Sequence, residues 1–299
     1  GEMLNAGQVR SSIARRLGMN IAGLIPSDRT VDGVVEMMLD ATQNFEHPLT
    51  KERLIGWHCA LFPAGRSGLQ KIITGNYRND ASGPMQVVSG AFGRERVHFQ
   101  APAAECLESQ MHLFLNWINS QNIAEPIIKA GIAHLWFITL HPFEDGNGRM
   151  ARAITDMLLT RADGIPRRFY SMSAQICIQR KEYYAILEKT QKGSLDITAW
   201  LEWFSDCLLN ALLSAETALR KVMAKHDFWQ KNAARILNER QRLMLNMLLD
   251  DFKGKLTSSK WAALTKCSQD TALRDIHDLV SKGILRKSES GGRSTSYSL

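Results

Sequence analysis

Apolar residues recur at helical spacing along most of this chain, and the interruptions divide it. Asn5-Ala-Gly-Gln8 has the form of a capping box and predicts a short helix to about Leu17. Thr30 can cap a second helix, with Val31, Val34, Val35, Met38 and Leu39 on one side; His47-Pro48 breaks it. Thr50 caps a third, which carries Leu54, Ile55, Trp57, His58 and Leu61. His58, set among apolar neighbours, reads as a core histidine. Over residues 65–102 the helical period stops and Gly, Ser, Asn and Pro become frequent. Two β-prone runs lie there, 85–89 and 96–100, joined by 90–95, which predicts a hairpin. Helices resume over 102–121 and 127–140, with Pro126 suited to a first turn. The 127–140 helix is apolar nearly all round (Ile128, Ile132, Ala133, Leu135, Trp136, Phe137, Ile138), so it is buried. It ends on His141. His134, two turns earlier, reads as structural.

Further helices follow over 149–160, from Ser173 through Tyr183 and Leu187, and over 197–225, where Trp200, Leu201, Phe204, Leu208, Leu212 and Leu219 form a core stripe. The apolar period then weakens and charge rises over 225–234, which predicts a boundary between domains at 1–225 and 235–299. In the tail, Asn238 caps one helix, Ser258 or Ser259 a second, and a third covers 270–282 with Gly283 as its C′ residue. A terminal hairpin, 284–298, closes the chain.

The whole chain of 299 residues is 44% hydrophobic and 22% charged, ordinary for a folded protein with a real core. Its net charge of +7 permits an anionic partner without requiring one. Five scattered cysteines, with no Cys-x-x-Cys, argue for a reducing compartment and against a disulfide frame or a zinc site. No apolar run reaches the ~18 residues of a membrane span. These features together give a cytoplasmic expectation with no membrane partner.

The chemistry concentrates in His141-Pro-Phe-Glu-Asp-Gly-Asn-Gly-Arg-Met-Ala-Arg152. His141 can take a proton near neutral pH. Asp145 is a hard carboxylate suited to Mg²⁺. Gly146, Asn147 and Gly148 form a small-residue turn at a helix start, where backbone N–H groups and the positive dipole end favour an anion. Arg149 and Arg152, three apart, share a helix face. Two guanidiniums over such a turn suit a polyphosphate.

This segment resembles the Fic family motif, His-x-Phe-x-(Asp/Glu)-Gly-Asn-Gly-Arg-x-x-Arg, at every specified position, and the resemblance extends more loosely over 1–205. It implies an all-α fold: a Fic helical core with a small β-hairpin flap, followed by a domain that resembles a winged helix-turn-helix. The implied activity is transfer of AMP from ATP to a Ser, Thr or Tyr hydroxyl of a protein, releasing pyrophosphate. His141 would be the general base. The Gly146–Gly148 backbone and the Asn147 side chain would meet the α-phosphate, Asp145 would hold Mg²⁺, and Arg149 and Arg152 would clamp the outer phosphates. The flap residues Val87, Val88, Ser89 and Gly90 would dock the target segment by strand addition, and Tyr77-Arg78 matches the family just before the flap. Arg180-Lys-Glu-Tyr183-Tyr184 matches a family pattern that borders the nucleotide base, so Tyr183 and Tyr184 are carried over as nucleotide-binding. Relatives often have Asn where Gln191 stands.

Many Fic proteins carry an inhibitory Ser/Thr-x-x-x-Glu-Gly/Asn motif whose Glu would pair with Arg152. No Glu in this chain is followed by Gly or Asn. Gly1 has the form of a cut edge, which would place such a segment upstream; alternatively the chain never had one. The implied partners are ATP and a target protein, which could be the chain itself; DNA through 235–299 and a second copy in a homodimer are further candidates. Over 226–299 there are 13 Lys and Arg against 8 Asp and Glu, a moderate basic excess. The third tail helix would enter the major groove and Arg293 would sit in the wing, while Asp275 and Asp278 would oppose phosphate contact. Other readings remain open: transfer of a different nucleotide-borne group, removal of AMP, or a DNA-bound regulator that modifies itself.

Overall fold

The structure is a computed structural model that describes residues 4–19, 23–91, 93–120, 125–166, 168–250, 252–288 and 295–299. It is mostly helical. The chain divides into two compact units, 1–215 and 216–299.

Three capped helices open the first unit: α1 (Ala6–Arg16), α2 (Arg29–Gln43) and α3 (Lys51–Leu61). Asn5 and Thr50 cap α1 and α3 as their sequences predict. Asp28 caps α2 in place of Thr30, because its carboxylate accepts from the N–H of Val31 at 2.8 Å. Two short hairpins follow. The first, β1 (Arg66–Ser67) with β2 (Gln70–Lys71), has no strand-length apolar pattern and was not expected. The second is the predicted one, β3 (Gln86–Ser89) antiparallel to β4 (Arg96–Gln100), with a register shift between Val87 and Val88. A 3-10 turn (Ala104–Cys106) leads into α4 (Leu107–Asn119). Gln121, the expected helix end, lies outside the described residues.

The centre of this unit is α5 (Pro126–Leu140) packed on α6 (Asn147–Asp163). Of the seventeen residues of α6, eleven are buried, so both helices of the site are core elements. The helix predicted after Ser173 is two helices. Ser171 caps α7 (Met172–Ile178), and α8 (Arg180–Gln191) restarts at Gln179. Then α9 (Thr198–Lys231) contributes Trp200 and Phe204 to the core, and the Trp200 indole donates to the carbonyl of Gly131 at 2.9 Å. The division between units falls inside α9, upstream of the expected 225–235 boundary. The Ala-, Leu- and Lys-rich sequence sustains the helix after its inward face has ended at Ala211.

In the second unit, α10 (Glu239–Leu249), α11 (Ser258–Thr265) and α12 (Gln269–Ser281) enclose Met244, Leu245, Trp261, Ile276 and Leu279. Asn238 and Gln241 form a full capping box on α10. Thr257, not a following serine, caps α11. The terminal hairpin pairs β5 (Arg286–Lys287) with β6 (Tyr297–Ser298). Arg293 lies outside the described residues. Asp275 is turned inward and bonded to Arg240 and Asn238, so it is not on the outer face of α12. Among the described residues no helix is long and apolar enough to cross a membrane.

Candidate active site

His141 is the C-cap of α5 and adopts a left-handed conformation with φ of 49°. Such a conformation is unfavourable for a residue with a Cβ, so the surroundings must impose it. Its Nδ1 lies 3.1 Å from the carbonyl oxygen of Ile138. A carbonyl only accepts, so Nδ1 carries the proton and Nε2 keeps its lone pair. Burial lowers the imidazole pKa, which keeps the ring neutral and ready to accept a proton. The buried Arg78 holds the turn from behind. Its Nε donates to the His141 carbonyl at 2.8 Å, its backbone N–H donates to Pro142, and its Nη1 pairs with Asp80 at 2.6 Å.

The loop after His141 is shaped by its own side chains. Phe143 is fully buried and stacks on His58, ring centroids 4.2 Å apart. His58 donates from Nε2 to the carbonyl of Asp145 at 3.2 Å, so this core histidine supports the loop. Gly146 has φ of 86°, and a Cβ there would come within 2.9 Å of Phe62. Only glycine fits at that point. The Asn147 side chain accepts from the Phe143 N–H at 3.0 Å and donates to the Phe143 carbonyl at 2.7 Å. The amide thus holds the loop through both of its ends, a role beyond the expected phosphate contact. The N–H groups of Asn147, Gly148 and Arg149, in the first turn of α6, have no acceptor among the described residues.

Asp145 keeps a partly exposed carboxylate at the mouth of the loop. Ser67, on the unexpected hairpin, donates to its Oδ2 at 2.5 Å, and Arg149 lies 3.5 Å from the same oxygen. Glu144 points the other way and accepts from the Ile73 N–H at 2.8 Å. Arg149 also covers the Phe62 ring, Cζ 4.8 Å from its centroid. Arg152 is half-buried one turn along α6 and has no hydrogen bond or ion pair among the described residues. No group of three or more His, Cys, Asp or Glu residues forms a ready-made metal cage among those residues. A lone carboxylate beside open N–H groups and guanidiniums instead suits a Mg²⁺ ion that arrives with phosphates. Thus a neutral imidazole, a carboxylate, an open helix start and two arginines come from one short stretch, held by Arg78, His58, Phe62 and Ser67 from elsewhere.

The profile of the Fic/DOC family matches residues 48–159. This stretch is a Fic/DOC family domain. Two curated relatives are named protein adenylyltransferase Fic. The one from Nematostella vectensis is 34% identical over 121 residues, 39% of this chain and 26% of the relative. The one from Drosophila erecta is 32% identical over 126 residues, 40% of this chain and 24% of the relative. The matched stretch therefore spans about a quarter of their length. A Fic family protein from Desulfovibrio desulfuricans G20 shares the fold, with a TM-score of 0.51, 21% identity and coverage of 99% of this chain and 81% of that one. A Fic domain protein from Bacteroides thetaiotaomicron also matches in fold, with a TM-score of 0.51 and 22% identity over 72% of this chain and 80% of that one.

The β3–β4 hairpin is tied to α8. Arg96 and His98 on β4 both reach Glu188, at 2.8 and 2.7 Å, and Ser89 bonds the other nitrogen of His98 at 2.6 Å. Bonds from Lys192, His98 and Arg96 hold the Glu188 carboxyl down at about 2, so it stays ionised at neutral pH. On β3, Val87 is half-buried while Val88 and Ser89, and Gly90 just after the strand, are exposed. Tyr183 and Tyr184 part company. Tyr184 is 52% exposed and faces Arg180. Tyr183 is buried and donates its hydroxyl to His134 at 2.9 Å; His134 in turn donates to Thr155 at 2.8 Å. This is a correction, because Tyr183 is a core residue with no face left for a nucleotide base. Burial pushes His134 down to about 3, consistent with a neutral, structural ring.

Proposed function

We propose that this chain transfers AMP from ATP to a Ser, Thr or Tyr hydroxyl of a protein and releases pyrophosphate. The observation that carries this reading is Arg152: a half-buried guanidinium with no anionic partner among the described residues, beside an open helix start. A half-buried cation without a counter-charge suits an anionic ligand that supplies one. The names of the curated relatives agree with the nucleotide chosen.

In this mechanism His141 Nε2 takes the proton of the target hydroxyl as its oxygen attacks the α-phosphorus. The N–H groups of Asn147 and Gly148 face the charge that grows on the α-phosphate oxygens. The bond from the α-phosphorus to the bridging oxygen breaks, and Arg149 and Arg152 hold the departing pyrophosphate. Asp145 would hold Mg²⁺, which supplies charge neutralisation to the phosphates when bound. The target segment would add along the exposed part of β3, beside Val88 and Ser89. The deciding experiment uses ATP labelled on the α- or the γ-phosphate, with Mg²⁺, against the wild-type chain and His141→Ala. Label on protein from the α position alone, and only with His141, supports the reading. Label from the γ position, or full transfer in His141→Ala, sinks it.

DNA is a second proposed partner, for the unit 216–299. It is favoured by the inward turn of Asp275, which leaves Gln269, Arg274 and His277 among the residues on the exposed face of α12. Gel shifts of the full chain should weaken steeply with salt if this is right. A blank series at low salt would remove it.

A further inference from the structure

Asp156 is an acid in the wrong place for a phosphate site. It lies four residues after Arg152, on the same face of α6, and it is only 6% exposed. A carboxylate at that depth needs a counter-ion. Two arginines are within its range. Arg152 belongs to the same helix, and its charge acts on Asp156. Arg168 comes from the segment after α6, and its Nη1 donates to Asp156 Oδ1 at 2.7 Å and to the Asp156 carbonyl at 3.1 Å. Arg168 is itself fixed. Its Cζ lies 4.1 Å from the centroid of the Tyr170 ring, and its Nε lies 3.6 Å from Asp163 Oδ2. Tyr170 also donates to that oxygen, at 2.9 Å. Both members of the Arg168–Asp156 pair are shielded from water, side chains 6% and 8% exposed, so their attraction is little screened.

We propose that Arg168 is a positioning residue for the phosphate site: by occupying Asp156, it keeps Arg152 from folding back into an ion pair within α6 and leaves it open to the nucleotide. The inference rests on the reading of Arg152 as a phosphate ligand. It extends that reading to a residue outside the motif. Burial raises the Asp156 carboxyl above the ordinary range, and Arg168 opposes that rise. Without Arg168, the acid has Arg152 as its remaining partner, and each captured Arg152 is one less competent site.

The test is equilibrium ATP binding to the full chain by calorimetry, with thermal unfolding recorded for every variant. Arg168→Gln should bind ATP roughly tenfold more weakly, the effect expected if about nine sites in ten hold the captured form. Asp156→Asn should bind like wild type. The double variant Arg168→Gln/Asp156→Asn should return to within about twofold of wild type, since the competitor is gone. Arg168→Lys, which keeps the charge, should also bind like wild type and serves if Arg168→Gln does not fold. A purely structural role for Arg168 would move the melting temperature and leave the ATP affinity of the folded Arg168→Gln protein at the wild-type level. Wild-type affinity in folded Arg168→Gln overturns the proposal, as does a folded double variant as weak as Arg168→Gln. Wild-type affinity in Arg152→Ala is a different failure: it brings down the phosphate reading itself, and this inference with it.

Discussion

The guanidinium of Arg78 reaches the carbonyl oxygen of His141 at 2.8 Å and so fixes the turn that carries the proposed base. Arg78 is 4% exposed and also donates to Pro102 at 2.5 Å and to Asp80. Replacing it with Lys keeps a charge and loses the fork. Arg78→Lys should lose on the order of 2–4 kcal/mol of stability, because buried acceptors are left without donors. It should also lower turnover more than it changes ATP affinity, since the proposed phosphate ligands lie on α6 and not on this turn. Thermal unfolding beside turnover and ATP binding checks this. A variant that melts lower yet turns over at the wild-type rate would show that the clamp does not position His141.

The state of His141 makes a second prediction, on pH. Its neutral form is the one that can take a proton. Burial lowers its pKa in the folded chain, so that form persists to lower pH than it would for a free histidine. The acid limb of kcat/KM for the target should therefore fall below the ordinary histidine value of about 6.5. The limb should vanish in the residual rate of His141→Ala. An inflection above that value would mean the ring is stabilised as a cation, and the burial argument for a lowered pKa would fail.

Asn147 separates two jobs that its motif position does not distinguish. A phosphate ligand and a loop staple both call for an amide at a helix start. The structure gives it the second job, through both backbone groups of Phe143. Asn147→Ala should leave a buried N–H and a buried C=O without partners, a loss of about 2–5 kcal/mol. Asn147→Asp can still accept from the N–H but sets a carboxylate against the carbonyl, so it too should melt below wild type. A chemical denaturation series reads both. An unchanged midpoint in Asn147→Ala, with ATP affinity lost, would return the side chain to the phosphate.

The motif was legible in the sequence because its residues are contiguous and each has a chemical reason to be there. So were the buried α5, apolar on nearly every face, and the flap, with its two β-prone runs. What supports the motif was not legible, because it arrives from far along the chain. Ser67 sits on a two-residue strand, too short to leave a pattern, yet it bonds Asp145. Arg168 follows α6 in a stretch with no periodicity, yet it neutralises the core of that helix. His58 has the apolar neighbours of a core histidine, but its role as a prop for the Asp145 carbonyl needed the fold. Of the tyrosine pair, Tyr183 failed for a geometric reason. Adjacent helical residues point about 100° apart, so a pattern that names both cannot say which one turns inward.

That failure gives the last prediction. Tyr183 donates to His134, whose other nitrogen donates to Thr155, whose hydroxyl donates to the Ala151 carbonyl. The chain of bonds is fully directed: each group is used once as donor, and it ties α8 through α5 to α6. Tyr183→Phe keeps the ring and its packing against Trp200 and Trp203 but leaves His134 Nε2 buried without a donor. The expected cost is about 1–3 kcal/mol of stability. ATP affinity should stay at the wild-type level in the folded variant, because the ring has no open face for a base. Tyr184→Ala removes an exposed ring and should do the reverse, sparing stability and weakening the nucleotide if the base rests there. Calorimetry on both variants decides it: a Tyr183→Phe protein that melts normally but binds ATP poorly would restore Tyr183 to the nucleotide site.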